Sequence, residues 1–308
     1  MDAMNPPNLH HISCPDASGA HRMAYWQWGN PNSSHVVLCV HGLSRQGRDF
    51  NVLAQALCGG AAHVPGGIRV VCPDVVGRGH SNWMADPAAY QLPTYAADML
   101  VLLAHLHAQA PIDALDWVGT SMGGLIGLAV CSQSAVLPGL AVRKLVLNDV
   151  GPAIEWQALV RIGSYLGEVM DFDNLQAAAD GLWAISTGFG PHTPEQWLAL
   201  TKPMVRPVPG SPDAVRLHYD PAIAVPFRQA TQASTLQGEA ILWQLYDQIK
   251  APTLLLRGEK SDLLKPQTAQ AMTERGARAR LVEFAGVGHA PTLVSADQVA
   301  AVTGFLLS

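Results

Sequence analysis

Six short apolar runs punctuate the chain: HVVLCVHG at 35–42, RVVCPDVVG at 69–77, LDWVGTS at 115–121, KLVLNDVG at 144–151, TLLLRGE at 253–259 and RLVEFAGVGH at 280–289. They are rich in valine and leucine. Their apolarity is continuous rather than alternating, which predicts strands buried on both faces, as in a parallel sheet. Between them lie segments of helical spacing, such as TYAADMLVLLAHLHAQ at 94–109 and MGGLIGLAVCSQ at 122–133. Strand–helix alternation of this kind predicts an α/β fold with a mostly parallel, doubly wound sheet. An earlier pair, LHHISC and HRMAYWQWGN, predicts a hairpin at the sheet edge.

The alternation breaks between 152 and 248. That stretch is mostly helix-like (IEWQALVRIGSYLGEVM, NLQAAADGLWAI, EAILWQLYDQI) and is split by a proline-rich run, PMVRPVPGSPD at 203–213. The pattern predicts a core domain made of 1–151 and 249–308, with 152–248 as a helical cap inserted before the last two strands. Trp156, Trp183, Trp197 and Trp243 fall in this stretch. They either glue it to the core or line an apolar pocket, and Trp156, Trp183 and Trp243 are the candidates for substrate contact.

Composition narrows the class. With 308 residues, 49% hydrophobic and 14% charged, the chain can bury a large core and has no signature of disorder. A net charge of −5 and the lack of any Lys/Arg-rich run argue against a nucleic-acid partner. Cysteines at 14, 39, 58, 72 and 131 are odd in number and form no CxxC, so they read as small hydrophobes in a reducing compartment. The opening MDAMNPPNLHHISCPDASGA has neither the basic nor the apolar region of a secretory signal. No apolar stretch of about 18 residues suggests a membrane span. The expected location is the cytoplasm, with no membrane partner.

Chemistry gathers where the runs end, as expected outside the carboxyl ends of parallel strands. Gly119-Thr120-Ser121-Met122-Gly123 follows a strand and opens a small-residue helix. A serine on such a turn projects its oxygen, and the flanking glycines remove side chains that would collide as the helix packs back. Serine needs a base. His289, in the glycine loop GVGHAP past the last run, is the candidate; His41 is expected to shape its own loop, and His105 and His107 to lie on a helix surface. A carboxylate must hold the imidazole, and both Asp262 and Asp149 suit the order Ser…Asp…His. The oxyanion donors should be the backbone N–H groups of Leu43 and Met122. Arg45, two residues past Leu43, is either a contact for a polar acyl group or a partner of Asp49. No HExxH or Cys/His cluster occurs, so no metal and no cofactor are expected.

HG at 41–42, PDVVGRGHS at 73–81, GTSMGG at 119–124, RGEKSDLL at 257–264 and GVGHAP at 286–291 together resemble the α/β-hydrolase superfamily over nearly the whole chain. HGLSRQGRDF and LVLNDVGP are further similar to a bacterial group of esterases and hydrolases within it. The resemblance implies an α/β-hydrolase fold, a triad of Ser121, His289 and Asp262, an oxyanion hole at Leu43 and Met122, and a cap over 152–248. It also implies that Arg78 belongs to a structural turn. Asp262 is favoured over Asp149 because its loop and that of His289 follow the last two strands, and because Asp149 can fix a turn at the exit from its strand. The expected reaction is cleavage of small to medium, largely apolar carboxylic esters through an acyl-enzyme. Lactone or carbon–carbon bond hydrolysis on the same triad is the alternative, and a non-catalytic ligand-binding protein a remote one. A serine at 121 argues against dehalogenases and epoxide hydrolases, which need a carboxylate nucleophile.

Overall fold

The computed structural model describes residues 6–308; MDAMN, the start of the stretch weighed above as a leader, lies outside them. The predicted edge hairpin forms from β1 (Asn8–Asp16) and β2 (Gly19–Gly29), paired antiparallel. The chain continues through β3 (His35–Val40), α1 (Asn51–Gly60), β4 (Arg69–Asp74), α2 (Leu92–Gln109), β5 (Ala114–Thr120), α3 (Met122–Cys131) and β6 (Val142–Asn148). A long excursion follows: α4 (Trp156–Gly163), β7 (Asp171–Phe172), α5 (Leu175–Ser186), α6 (Pro194–Thr201), β8 (Val205–Pro207), β9 (Val215–Leu217), α7 (Ala224–Gln229) and α8 (Gln232–Gln248). The chain then returns with β10 (Thr253–Gly258), α9 (Pro266–Glu274), β11 (Arg280–Phe284) and α10 (Ala296–Leu306).

Eight strands form one sheet in the order β1-β2-β4-β3-β5-β6-β10-β11. Everything from β4 to β11 is parallel, and only β2 runs against it, antiparallel to both β1 and β4. Each of the six apolar runs supplies one parallel strand. Their continuous apolarity has a direct cause. Val36, Leu38 and Val40 of β3 pack on the face carrying α2 and α3, while Val37 and Cys39 pack on the face carrying α1 and α10. With both faces covered, no position from Val36 to Val40 is left for a polar side chain. All five cysteines are unpaired, and only Cys58 has partial exposure. No helix among the described residues is long and apolar enough to cross a membrane.

The excursion between β6 and β10 is not purely helical. The proline-rich run, read from sequence as a break between helices, supplies β8 and the turn into β9, and β7-β9-β8 make a small antiparallel sheet. Pro207 is accommodated because β8 is an edge strand, where a missing N–H costs no ladder bond.

Register levels the carboxyl ends of five strands. Val40 pairs with Gly119, Thr120 with Asn148, Leu256 with Asn148 and Gly258 with Phe284. The loops that begin at His41, Ser121, Asp149, Glu259 and Ala285 therefore emerge along one rim. Chain order reverses between β3 and β5, so the crevice expected at a topological switch point opens between Gly42 and Ser121.

Candidate active site

Ser121 sits between β5 and α3 with φ 50° and ψ −116°, a left-handed backbone that a side chain rarely adopts. Its neighbours make this turn possible. A Cβ on Gly119 would overlap the backbone of Gly123 and Gly124, and one on Gly123 would overlap the carbonyl of Val40. A Cβ on Gly124 would strike Val150. These glycines are thus a steric condition for α3 to fold back onto the sheet directly after the serine.

The Ser121 Oγ lies 2.9 Å from Nε2 of His289. On the other side of the ring, Nδ1 lies 2.7 Å from Oδ2 of Asp149. Asp149 is the carboxylate beside His289; the expected pairing with Asp262 does not form. The reason lies in how β6 ends. Asp149 donates its backbone N–H to Leu256 O, then turns with φ 55°, which carries its side chain across the ends of β6 and β10. There the carboxylate accepts from Gly258 N at 2.8 Å and from Ser261 Oγ at 2.6 Å as well as from the imidazole. Asp262 follows Ser261 but points the other way. It forms a two-pronged ion pair with Arg161 of α4, at 2.7 and 3.0 Å. Adjacent loops were a correct inference; which side chain of the loop faces the histidine was not readable from adjacency.

Two supports escaped the sequence reading. Asn148 donates to Thr120 Oγ1 and to the carbonyl of Pro291, tying the elbow strand to the histidine loop. Ser261 braces Asp149 as described. Both adjoin residues already singled out, and that adjacency was the available signal.

Leu43 lines the space beside Ser121, and Met122 follows Ser121 directly in the chain. Met122 opens α3, where first-turn N–H groups lack helical acceptors. The Leu43 N–H belongs to the Gly42–Leu43 peptide, and Nδ1 of buried His41 donates to that peptide's oxygen at 2.7 Å. Nε2 of His41 accepts from Val75 N at 2.9 Å, so the ring is neutral with its proton on Nδ1. Burial drives its pKa down to about 3. His41 shapes its loop, as expected. Arg78 supports the same loop: its guanidinium is fully buried and donates to Leu43 O and Val76 O, and its Nη2 contacts Met122 Sδ. Asp74 accepts from Gly47 N and His80 N and holds the turn around Arg78, with burial raising its pKa to about 6.

Two cavities meet at Ser121. One, of about 410 Å³, is lined by Ser121 and His289 together with Arg45, Arg161, Lys260 and Asp262. The other, of about 440 Å³, is lined by Ser121 and Met122 together with Leu125, Ile154, Ile162 and Phe227. Leu43 borders both. Arg45 lines the first while forming a two-pronged pair with Asp49 at 2.6 and 2.8 Å. The tryptophans line neither. Trp183 stacks edge-on with Trp197 and His192, Trp243 lies against the Arg275 guanidinium and Tyr246, and Trp156 is the half-buried first residue of α4. Their bulk is spent on packing within the excursion and around α8, while aliphatic residues with Tyr90, Tyr95 and Phe227 wall the second cavity.

Comparison with known proteins agrees with this geometry. Residues 37–302 match the model of the alpha/beta hydrolase family. A 3-hydroxybutyrate-oligomer hydrolase of Cupriavidus necator is 46% identical over 97% of both chains. A pimeloyl-(acyl-carrier protein) methyl ester esterase of Xanthomonas axonopodis is 24% identical over 86% of this chain and 91% of its own. The crystal structure of an alpha/beta hydrolase from Novosphingobium aromaticivorans superposes with a TM-score of 0.80 at 34% identity, covering 99% of each chain. An elbow serine, a histidine loop and a sheet of this order, together with these likenesses, establish that the chain belongs to the alpha/beta hydrolase family and is a hydrolase enzyme of it.

Proposed function

We propose that the protein hydrolyses carboxylic esters through an acyl-enzyme on Ser121, and that its substrates are short linear oligoesters of 3-hydroxybutyrate. The observation that carries the chemistry is the continuous line Ser121 Oγ, His289 Nε2, His289 Nδ1, Asp149 Oδ2, with links of 2.9 and 2.7 Å. His289 takes the Ser121 proton as Oγ attacks the carbonyl carbon. The tetrahedral oxyanion is held by the N–H groups of Leu43 and Met122. The C–O bond breaks, and His289 passes the proton to the departing alkoxide. Water then repeats the sequence on the acyl-enzyme. Asp149 stabilises the transient imidazolium and fixes its orientation. Residues 152–248 act as a cap that walls both cavities and limits substrate size. The substrate class rests on the 46% identical relative.

The test is hydrolysis of a synthetic 3-hydroxybutyrate trimer, with intact-mass detection of acylated Ser121. Release of monomer and dimer by wild type, with a mass increment that S121A lacks, is the expected result. No turnover of the trimer by protein that cleaves simple p-nitrophenyl esters would overturn the substrate class. A cleaved ester with an undiminished rate in S121A would overturn the mechanism.

A further inference from the structure

We propose that the two cavities sort the two halves of the ester, the apolar one taking the acyl part and the cationic one the alcohol part, and that Lys260 binds a free carboxylate at the far end of that alcohol part. This rests on the ester-hydrolase reading above and gives it a direction. The leaving oxygen must receive its proton from His289 Nε2, so the alcohol half lies on the histidine side of the scissile carbonyl. Of the two cavities, His289 borders only the one that holds the charged residues. The acyl half then extends past Met122 into the other, whose lining includes Leu92, Leu125, Val150, Ile154 and Phe227 and no charged side chain. A carboxylate buried there would lose its hydration without a partner.

Charge in the first cavity is unbalanced in favour of an anion. Arg45 is committed to Asp49 and Arg161 to Asp262. Lys260 lines the same cavity and has no carboxylate within ion-pair distance among the described residues. Its backbone N–H bonds Val287 O at 2.8 Å, so it is anchored beside the histidine loop while its side chain stays exposed. A linear oligoester of a hydroxy acid carries its only carboxylate at the end of the alcohol half. The cation and the leaving-group side thus coincide with the polarity of that substrate.

The experiment compares kcat/KM for four esters with the whole protein: 3-(butanoyloxy)butanoate as the free acid, its methyl ester, mono-butyl glutarate, which carries its carboxylate on the acyl side, and neutral butyl butanoate. Wild type should prefer the free acid over its methyl ester by about fivefold, the scale of one partly solvated ion pair, and salt should shrink the ratio. Mono-butyl glutarate should be the poorest of the four. K260M should bring the acid-to-methyl-ester ratio to about one, through KM. D262N should raise the ratio, because it frees the Arg161 guanidinium. Equal handling of acid and methyl ester, an unchanged ratio in both variants, or preference for mono-butyl glutarate would overturn the orientation while leaving ester hydrolysis standing. Failure to cleave even butyl butanoate would take down the ester-hydrolase reading and this proposal with it.

Discussion

The polar groups at the strand ends and those on the rim of the cavities are built differently. His41 and Asp149 are bound to the backbone of neighbouring strands and loops, and the Asp149 side chain is 0% exposed. On the rim, Arg161 and Asp262 pair with one another, and the Asp262 side chain is 46% exposed. A group held by several fixed donors keeps its orientation and its charge state. A group held by one solvated ion pair gains little from it, about 0–1 kcal/mol, and can exchange its partner for a substrate. Reaction chemistry belongs with the first kind and selectivity with the second.

The largest break in that contrast is at the nucleophile. S121A should lower kcat on a p-nitrophenyl ester by on the order of 10⁵-fold or more while leaving the fold intact, since triad members act as a unit. Single-turnover kinetics with circular dichroism on the same sample checks both halves of the statement. Next comes the acid. D149N should cost about 10⁴-fold in kcat, because an amide at this position favours the wrong imidazole tautomer. D262N sharpens the comparison by contrast: kcat on neutral esters should stay within a few-fold of wild type. If D262N collapses kcat and D149N does not, the division between strand ends and rim is wrong.

That pair of variants also marks where the sequence stopped being legible. The six runs predicted all of the parallel strands, because burial on both faces leaves an unmistakable continuous pattern. GTSMGG exposed the elbow through sterics alone, since Gly119 and Gly123 are required by contacts with nearby backbone. The choice between Asp149 and Asp262 depended on a positive φ at Asp149 and on which way two consecutive side chains, Ser261 and Asp262, leave one loop. Neither leaves a trace in hydrophobic periodicity. The tryptophans, open between gluing the excursion and lining a pocket, were undecided for a related reason. Bulk predicts packing but not against what, and the half-buried Trp183 packs against Trp197 and His192 rather than facing a substrate cavity.

The smallest effect concerns His41 and acts on stability rather than rate. Its pKa falls from 6.5 to about 3 because the ring is wholly buried. A histidine depressed in the folded state stabilises the protein above pH 6.5 and loses that contribution as pH falls toward 3, because the unfolded chain binds the proton first. Within that window the loss approaches about 1.4 kcal/mol per pH unit. Bulk acid unfolding cannot isolate it, because the raised pKa values of His21 and Asp74 add slopes of opposite sign. The difference between wild type and H41Q does isolate it, since glutamine does not titrate. At pH 7.5 wild type should be the more stable, having both bonds of the ring to Gly42 O and Val75 N. Between pH 6.5 and 4.5 the gap measured by urea unfolding should narrow by about 2–3 kcal/mol. A gap that stays constant over this range would mean that the ring takes up its proton while folded, and His41 would then belong with the exchangeable groups of the rim.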